Sequence, residues 1–257
     1  MLKYYIKKYL GNRPLFFSFI RPQEAYLMHK YSRYLKPPIL DFGCGDGFFS
    51  RSCFKKTLDF GVDLEDERRL RQAEKLNCYK KIIRYDGSVL PLPTCSVNSV
   101  ISNSVFEHVP NINNSLKEIA RILKPRGTLL TTVMTDKWED YLVGRKLFGK
   151  RYLNFLRQKQ KHYHLLSQNN WKKLFKGSGF RVIKEVGYLA KQNSQLLDLS
   201  HYLSAYSLVS YILLRKWVLL PKFWSNDLFV AKINEITKQN VPAAESASLF
   251  FYLQKNR

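Results

Sequence analysis

A glycine-rich stretch that follows a short apolar run, PPILDFGCGDGFFS at residues 37–50, constrains this chain more than any other feature. Gly43, Gly45 and Gly47 have no Cβ and can adopt positive φ, so a ligand can lie directly against the backbone where a strand turns into a helix. The apolar residues before them predict a buried strand of a parallel sheet, and open α/β sheets bind ligands at the carboxyl ends of their strands. The stretch therefore predicts a ligand-binding strand–loop–helix unit.

The spacing of the glycines and the charge beside them indicate the kind of ligand. The dinucleotide fingerprint is G-x-G-x-x-G, whereas here the third glycine comes one residue early and Phe48 takes its place. Asp41 and Asp46 flank the loop and would repel a pyrophosphate. A cationic ligand fits better, and S-adenosylmethionine carries a positive sulfonium and a positive amino group.

Acidic residues end the next two predicted strands. Asp63 ends the run TLDFGVDL and lies 20 residues after Gly43, close to the offset at which an acidic group binds ribose hydroxyls. The next run, KKIIRYDGS, ends in Asp86 and Gly87, where an adenine amino group could be bound. Either aspartate could also be a simple turn residue. The ordered set after successive strands favours the cofactor interpretation.

Four further strands are predicted beyond these. The run VNSVISNSV ends in Ser102, Asn103 and Ser104, and a helix and the run LKPRGTLLTTVM follow it. QNNWKKLFKGSGF predicts a helix stopped by glycines before a sixth strand. The seventh predicted strand is ASLFFYLQKNR.

With these residues in view, the chain resembles the class I S-adenosylmethionine-dependent methyltransferases, of the methyltransferase type 11 or ubiquinone-biosynthesis-like family. The resemblance is strongest over residues 37–136 and implies an α/β fold. That fold is a Rossmann-like, doubly wound, seven-stranded, mostly parallel sheet whose antiparallel last strand lies between the fifth and sixth. Arg126 departs from the family, which often has a second glycine there.

The resemblance also implies which residues contact the cofactor, S-adenosylmethionine. The glycine loop would hold its methionine part, Asp63 its ribose, and the residues around Asp86 its adenine, while Ser102 and Asn103 would lie near the methyl group. The expected cofactor-binding residues are Asp41, Gly43, Cys44, Gly45, Gly47, Asp63, Leu64, Asp86, Gly87, Ser88, Ser102 and Asn103.

The fold expected from the resemblance divides the chain into four segments. Residues 1–36 would form a basic, aromatic, helical N-terminal segment, and residues 37–189 the methyltransferase core. Residues 190–245 would form a helical insertion acting as a lid or a membrane-surface element, and residues 246–257 the last strand of the core.

Candidate catalytic residues follow the fourth strand. Methyl transfer chiefly needs alignment of the acceptor and exclusion of water, but an oxygen acceptor benefits from a base, and Glu107 and His108 are the candidates. They could instead begin and cap the next helix. His162, Tyr163 and His164 are candidates for the acceptor pocket, and the alternative is helix-start packing. No third ligand accompanies the two histidines, so no metal is expected.

The net charge of +23 lies mainly outside the predicted core. Residues 37–136 carry only +2, whereas residues 1–36 carry +7 and residues 137–191 carry +11. Such asymmetry predicts an anionic partner: lipid headgroups, nucleic acid or a phosphorylated substrate. The alternative is a basic face that meets only solvent.

One later segment has the pattern of a membrane surface. The 16 residues from Leu199 to Leu214 carry no formal charge and are followed by Arg215, Lys216 and Trp217. The segment is too short and too rich in serine to span a bilayer. Six residues are predicted to share one helical face, which contacts either lipid or the core of the protein: Leu199, Tyr202, Leu203, Tyr206, Val209 and Leu213.

Cysteine spacing and the N-terminal residues set the expected compartment. The four cysteines form no C-x-x-C pair and no signal peptide is apparent, so we expect a reduced, cytoplasmic setting, peripheral on the inner face of the membrane if lipid is the partner.

The sequence predicts a methyltransferase for a small-molecule or lipid-linked acceptor. The alternatives are a nucleic-acid methyltransferase, which no N-P-P-Y-type tetrapeptide supports, and a non-catalytic, membrane-associated cofactor-binding module.

Overall fold

The computed structural model describes residues 1–64, 67–238 and 241–257. Its strands, in chain order, are β1 (Ile39–Phe42), β2 (Leu58–Leu64), β3 (Tyr79–Tyr85), β4 (Val97–Asn103), β5 (Leu123–Met134), β6 (Phe180–Gly187) and β7 (Ser248–Lys255). They form one sheet in the order β3-β2-β1-β4-β5-β7-β6.

The helices lie before, between and after these strands. They are α1 (Leu2–Asn12), α2 (Arg21–Tyr31), α3 (Phe48–Cys53), α4 (Glu67–Lys75), α5 (Ile112–Ile122), α6 (Lys137–Tyr141), α7 (Val143–Gln160), α8 (Gln168–Gly177), α9 (Lys191–Leu203), α10 (Ala205–Leu214), α11 (Pro221–Trp224) and α12 (Asp227–Thr237). Four short 3-10 turns complete them: Leu15–Phe19, Ser32–Tyr34, Phe106–His108 and Ala243–Glu245.

The direction of the strands confirms the predicted fold class. β1 pairs in parallel with β2 and β4, and β3 and β5 extend the parallel sheet on either side. β7 pairs antiparallel with both β5 and β6 and lies between them. This is the Rossmann-like, seven-stranded sheet with an antiparallel last strand that the sequence predicted.

Alternation along the central strands supplies a core on each face of the sheet. Val100 and Leu129 belong to one buried cluster, which α5 and α8 cover through residues such as Leu116 and Trp171. The neighbouring Ile101 and Leu130 belong to the other cluster. Successive side chains of a strand point to opposite faces, so both faces of these strands must be covered by helices.

The N-terminal helices and the segment before β7 cover the second face together. Ile6 of α1, Met28 of α2, Leu197 of α9 and Ile233 of α12 all belong to the same buried cluster. α1 packs against α2, α11 and α12, and the turn Leu15–Phe19 packs against α9. The predicted division into four segments stays a prediction, but both outer segments contribute to a core shared with the sheet.

The uncharged segment forms two helices, not one continuous face. α9 ends at Leu203 and α10 begins at Ala205, and between them Ser204 donates its hydroxyl to the Ser200 carbonyl oxygen at 2.7 Å. Of the two alternatives for the predicted face, packing on the core is contradicted, because its six residues are between 39% and 73% exposed. Within the described residues, we find no helix with the length and apolar character needed to cross a bilayer.

Candidate active site

The glycine loop joins β1 to α3 as a left-handed turn. Gly43, Gly45 and Gly47 have φ of +79°, +56° and +76°, values that residues with a side chain rarely adopt. A Cβ on Gly43 would lie 2.3 Å from a Val105 methyl carbon, and one on Gly47 would lie 3.0 Å from the Cys78 sulfur. Around Gly45 the nearest atom to a Cβ would be an Asp63 oxygen at 4.0 Å. The loop is closely packed from behind and open at Gly45.

Asp41 anchors this loop from within the protein. It is 4% exposed and accepts hydrogen bonds from the hydroxyls of Ser50 on α3 and, at 2.6 Å, Tyr79 on β3. Burial raises the pKa of Asp41 to about 6, although both hydroxyls act in the opposite direction. Asp41 therefore connects β1, α3 and β3 at the back of the loop.

The sequence predicted two carboxylates beside the loop, Asp41 and Asp46, and the structure shows that Asp46 is paired with a basic residue. Asp46 forms an ion pair at 2.5 Å with Arg13, the residue that ends α1, and the Arg13 guanidinium lies 4.2 Å from the centre of the Phe48 ring. Arg13 was missed because it lies 33 residues before Asp46 and no motif marks it. Asp46 also accepts a hydrogen bond from the Phe48 backbone N–H at 3.1 Å, and from β2 Asp63 accepts hydrogen bonds from the Gly45 and Leu64 backbone N–H groups.

The predicted adenine residues lie at the end of the neighbouring strand. Asp86 is exposed and accepts hydrogen bonds from the Ser88 backbone N–H at 2.8 Å and the Ser88 hydroxyl at 2.6 Å. These bonds hold the pKa of Asp86 below its usual range. Gly87 has φ of +90° and no atom lies within 4 Å of where its Cβ would be. This turn is accessible, with a carboxylate at its surface.

The two residues predicted to lie near the methyl group, Ser102 and Asn103, have different environments in the structure. Ser102 is fully buried, and its hydroxyl has no hydrogen-bond partner within the described chain. Asn103 is half-buried; its side-chain nitrogen donates to Glu24 at 2.9 Å and its oxygen accepts from Thr132. Neighbouring residues of a strand face opposite sides of the sheet, so only one of the pair can face this site.

Glu24 of α2 is the centre of a buried polar network at the carboxyl end of β4. It has no exposed surface and accepts hydrogen bonds from Arg21 at 2.7 Å, Asn103 at 2.9 Å, Ser104 at 2.8 Å and Tyr188 at 2.9 Å. Burial raises the pKa of Tyr188 well above its usual value, so its hydroxyl remains a donor. We call these five residues the Glu24 network; it joins α2 to β4 and to the end of β6.

The sequence contained one signal for this network. Glu24 is the only acidic residue among the first 36, where eight residues are Lys or Arg. An isolated carboxylate in such a segment could have been expected to serve a specific partner. Tyr188 has no comparable signal, because only the position of β6 brings it to α2.

The structure brings together the two predicted groups of catalytic and acceptor-pocket residues. Glu107 and His108 belong to the turn Phe106–His108, and the Glu107 carbonyl oxygen accepts hydrogen bonds from the Tyr163 and His164 backbone N–H groups. The His108 and His162 rings lie 4.7 Å apart. Tyr163 is 54% exposed, and a ring nitrogen of His164 lies 3.2 Å from the Pro110 carbonyl oxygen.

The alternative role for Glu107 and His108, capping of the next helix, is ruled out. That helix, α5, begins after Asn111.

The two candidate bases differ in protonation. Glu107 is fully buried, and within the described residues neither of its carboxyl oxygens has a hydrogen-bond partner. Burial raises the pKa of Glu107 to about 8, so the carboxyl group is mainly protonated at neutral pH. Nearby Arg21 lowers this pKa and Glu24 raises it, which relates Glu107 to the Glu24 network. Glu107 is therefore a proton donor or a structural group at pH 7.

His108 is held as a neutral imidazole with a defined tautomer. Its Nδ1 lies 2.9 Å from the Gln160 carbonyl oxygen, which can only accept, so Nδ1 carries the proton and Nε2 keeps its lone pair. Burial lowers the pKa of His108. The pKa of His162 is lowered to about 3 by burial and then by His108. Of the candidate bases, His108 has the free lone pair.

No group of three or more His, Cys, Asp or Glu side chains is arranged to hold a metal ion in the part of the chain that the structure describes. The donor set at the end of the sheet suits an organic cofactor with hydroxyl, amino and cationic groups. Carboxylates lie at the end of β2 and just after β3, and backbone N–H groups of the loop after β1 lie beside the β2 carboxylate. These residues fit S-adenosylmethionine.

Comparisons with known proteins agree with this fold. Residues 7–185 match a family described as methyltransferase domain. The chain is 30% identical over 135 residues to sterol 24-C-methyltransferase of Aspergillus fumigatus, covering 49% of this chain and 36% of that enzyme. It is 28% identical over 181 residues to a ubiquinone/menaquinone biosynthesis C-methyltransferase of Rickettsia massiliae, covering 60% of this chain and 71% of that enzyme.

A solved structure has the same architecture. It is an S-adenosylmethionine-dependent methyltransferase of Thermotoga maritima, described as a possible histamine N-methyltransferase. The TM-score is 0.58 at 16% identity, and the match covers 94% of this chain and 93% of that one. The family match shows that the chain belongs to the methyltransferase-domain family, and its fold is that of the class I S-adenosylmethionine-dependent methyltransferases. It spans well under two thirds of the length of several curated relatives that it matches.

Proposed function

We propose that the protein methylates a small-molecule acceptor, lipid-linked acceptors included, at the inner face of a membrane. The observation that carries the proposal is the meeting, at one end of the sheet, of the cofactor loop and a buried polar site formed by the Glu24 network and the Glu107–His108 turn. The names of two relatives, a sterol and a quinone-biosynthesis methyltransferase, support an acceptor of this class.

The residues of this chain have separate roles in the proposal. When bound, S-adenosylmethionine supplies a methyl group activated by its sulfonium. Asp63 and the loop N–H groups bind the cofactor, with Asp86 and Ser88 beside its adenine. His108 takes the acceptor's proton at Nε2. α2 covers the carboxyl end of β4 through the Glu24 network and would exclude water there.

A cofactor-binding measurement tests the part of the proposal that concerns S-adenosylmethionine. Isothermal titration should detect S-adenosylmethionine and its demethylated product but not NAD. Asp63→Asn should weaken binding by about 10- to 100-fold, because a hydrogen-bond acceptor with charge is lost. Glu235→Gln on α12, at a side chain that is 72% exposed, is the control for loss of one carboxylate. Tighter binding of NAD than of S-adenosylmethionine would refute this reading of the loop.

A methyl-transfer measurement tests the part of the proposal that concerns the acceptor and His108. With methyl-labelled cofactor, the label should enter the lipid or small-molecule fraction of a cell extract, and its appearance in RNA or DNA instead would refute the acceptor class. His108→Ala should slow turnover by about 100-fold or more with little change in cofactor affinity. An unchanged rate would assign His108 to packing against His162.

A further inference from the structure

The end of α9 and the whole of α10 present apolar side chains to the outside. Six large residues of this region are between 53% and 73% exposed. We call them the apolar surface: Leu203, Leu208, Val209, Ile212, Leu213 and Leu214. Soluble monomers rarely expose a contiguous apolar patch of this kind unless it meets a partner or a membrane.

The polarity of α10 is reversed relative to a helix that faces water. The side of the helix that contacts the protein is formed by Ser204, Ser207 and Ser210, which are 5%, 0% and 5% exposed. A surface helix normally buries its apolar stripe and exposes polar residues. Here serines are buried and leucines exposed, so α10 contributes little to the core and its outer side chains suit an apolar medium.

The chain segment that carries the apolar surface has charge of one sign. Residues 199–226 contain no Asp or Glu, and Arg215, Lys216 and Lys222 lie directly beyond α10. Tyr211 receives a hydrogen bond at 2.9 Å from Gln72, which places α4 beside this region. An apolar centre with a basic edge is complementary to lipid tails beneath anionic headgroups.

Aromatic pairs lie at the same edge. Trp217 stacks on Tyr211 with ring centres 4.0 Å apart, and Trp224 stacks on Tyr206 at 6.1 Å. Both tryptophans are half-buried. Trp and Tyr side chains are enriched at the level of lipid headgroups, where an apolar ring with a polar atom is favoured.

The charge distinguishes a bilayer from other occupants. A second copy docked through the same surface would bring its own Arg215, Lys216 and Lys222 against the first set, and like charges oppose such a contact. Nucleic acid would meet the basic edge, but aliphatic leucines offer it neither hydrogen bonds nor stacking. Of these three occupants, an anionic bilayer matches both the aliphatic centre and the basic edge.

We propose that α10 and the end of α9 insert their apolar side chains into the headgroup region of an anionic lipid bilayer, held there by Arg215, Lys216 and Lys222. The docking proposal rests on the proposed function, because the reason for docking is the delivery of a lipid-linked acceptor. α4, which bonds to Tyr211 through Gln72, also lies beside the cofactor loop, because a Cβ on Gly47 would lie 3.2 Å from the Ala73 Cα. Docking therefore brings the cofactor-binding end of the sheet towards the lipid.

Co-sedimentation with vesicles tests the proposal. Vesicles of equal parts phosphatidylcholine and phosphatidylglycerol should retain the protein, and about 0.5 M salt should reduce retention without abolishing it, because screening leaves the apolar contacts intact. Ile212→Ser with Leu213→Ser should lower the partition coefficient about tenfold or more. The control is Ile183→Ser, an exposed apolar residue on β6 at the opposite edge of the sheet from β3, which should leave partitioning unchanged.

A charge variant and a fluorescence measurement complete the test. Replacing Arg215, Lys216 and Lys222 with Gln should remove the preference for phosphatidylglycerol over pure phosphatidylcholine vesicles. Brominated lipid tails should quench the tryptophan fluorescence of the unaltered protein, because Trp217 and Trp224 lie at the surface whereas Trp138 and Trp171 are buried in the core. This second readout does not depend on a variant that folds.

Three results would overturn the docking proposal. They are no retention of the unaltered protein, equal retention of the Ile212 and Leu213 variant, and a dimer in solution that this variant dissociates. Titration with S-adenosylmethionine in the absence of vesicles separates the two proposals. Cofactor binding without vesicle binding would refute docking alone, and vesicle binding without cofactor binding would refute the proposed function alone.

Discussion

Glu107→Gln should change how the stability of the protein depends on pH. The carboxyl group is fully buried, and its pKa is raised from 4.5 to about 8. Below pH 4.5 it is protonated in both the folded and the unfolded state. Between pH 4.5 and 8 only the folded state holds the proton, so the free energy of unfolding falls as pH rises.

The size of this effect follows from the shift. At about 1.4 kcal/mol per pKa unit, a rise from 4.5 to about 8 lowers the stability by about 4 to 5 kcal/mol once the pH exceeds 8. Gln has a similar shape and does not titrate. We therefore expect the variant to gain stability relative to the unaltered protein by roughly this amount as the pH rises from about 5 to about 9.

Urea unfolding followed by circular dichroism at about one-unit steps of pH measures the difference. Because Asp41 also titrates in this range, each variant is compared with the unaltered protein at the same pH, which removes the contribution of Asp41. The exposed Glu235→Gln is the control for loss of a surface carboxylate. A difference between Glu107→Gln and the unaltered protein that is the same at every pH would refute the argument from burial.

Two further substitutions test the loop and the network beside it. Gly43→Ala should destabilise the fold by more than about 1 kcal/mol and weaken cofactor binding, because its Cβ would lie 2.3 Å from a Val105 methyl carbon at a φ of +79°. Gly177→Ala, with no atom within 4 Å of its Cβ, is the control and should be neutral or slightly stabilising in thermal unfolding. Glu24→Gln should cost about 2 to 4 kcal/mol in urea unfolding, because Arg21 loses its buried partner; a cost below about 1 kcal/mol would contradict the role given to this network.

The strands and the cofactor loop could be predicted because their signals are local in sequence, whereas the place of the last strand came from the resemblance to the family. An apolar run, a glycine and an acidic strand end occupy consecutive positions, and parallel strands bring their carboxyl ends to one edge whatever else the chain does. The position of Asp63 at the end of β2 and of Asp86 just after β3 needed no knowledge of packing. Even the departure at Arg126 keeps the positive φ that suits glycine, +61°.

The partners of these residues depend on contacts between distant parts of the chain. Glu24 meets Tyr188 across 164 positions, and Arg13 meets Asp46 across 33, so no spacing rule could indicate either pair. The raised pKa of Glu107 likewise comes from the burial of its carboxyl group, which the sequence around it does not reveal.

The orientation of α10 was also decided by tertiary structure. Periodicity identified an amphipathic segment but could not determine which side faces the protein, since an apolar stripe is normally the buried one. The sequence determined that leucines and serines lie on opposite sides of the helix. Packing against the rest of the protein then buried Ser204, Ser207 and Ser210, and it left the leucines exposed.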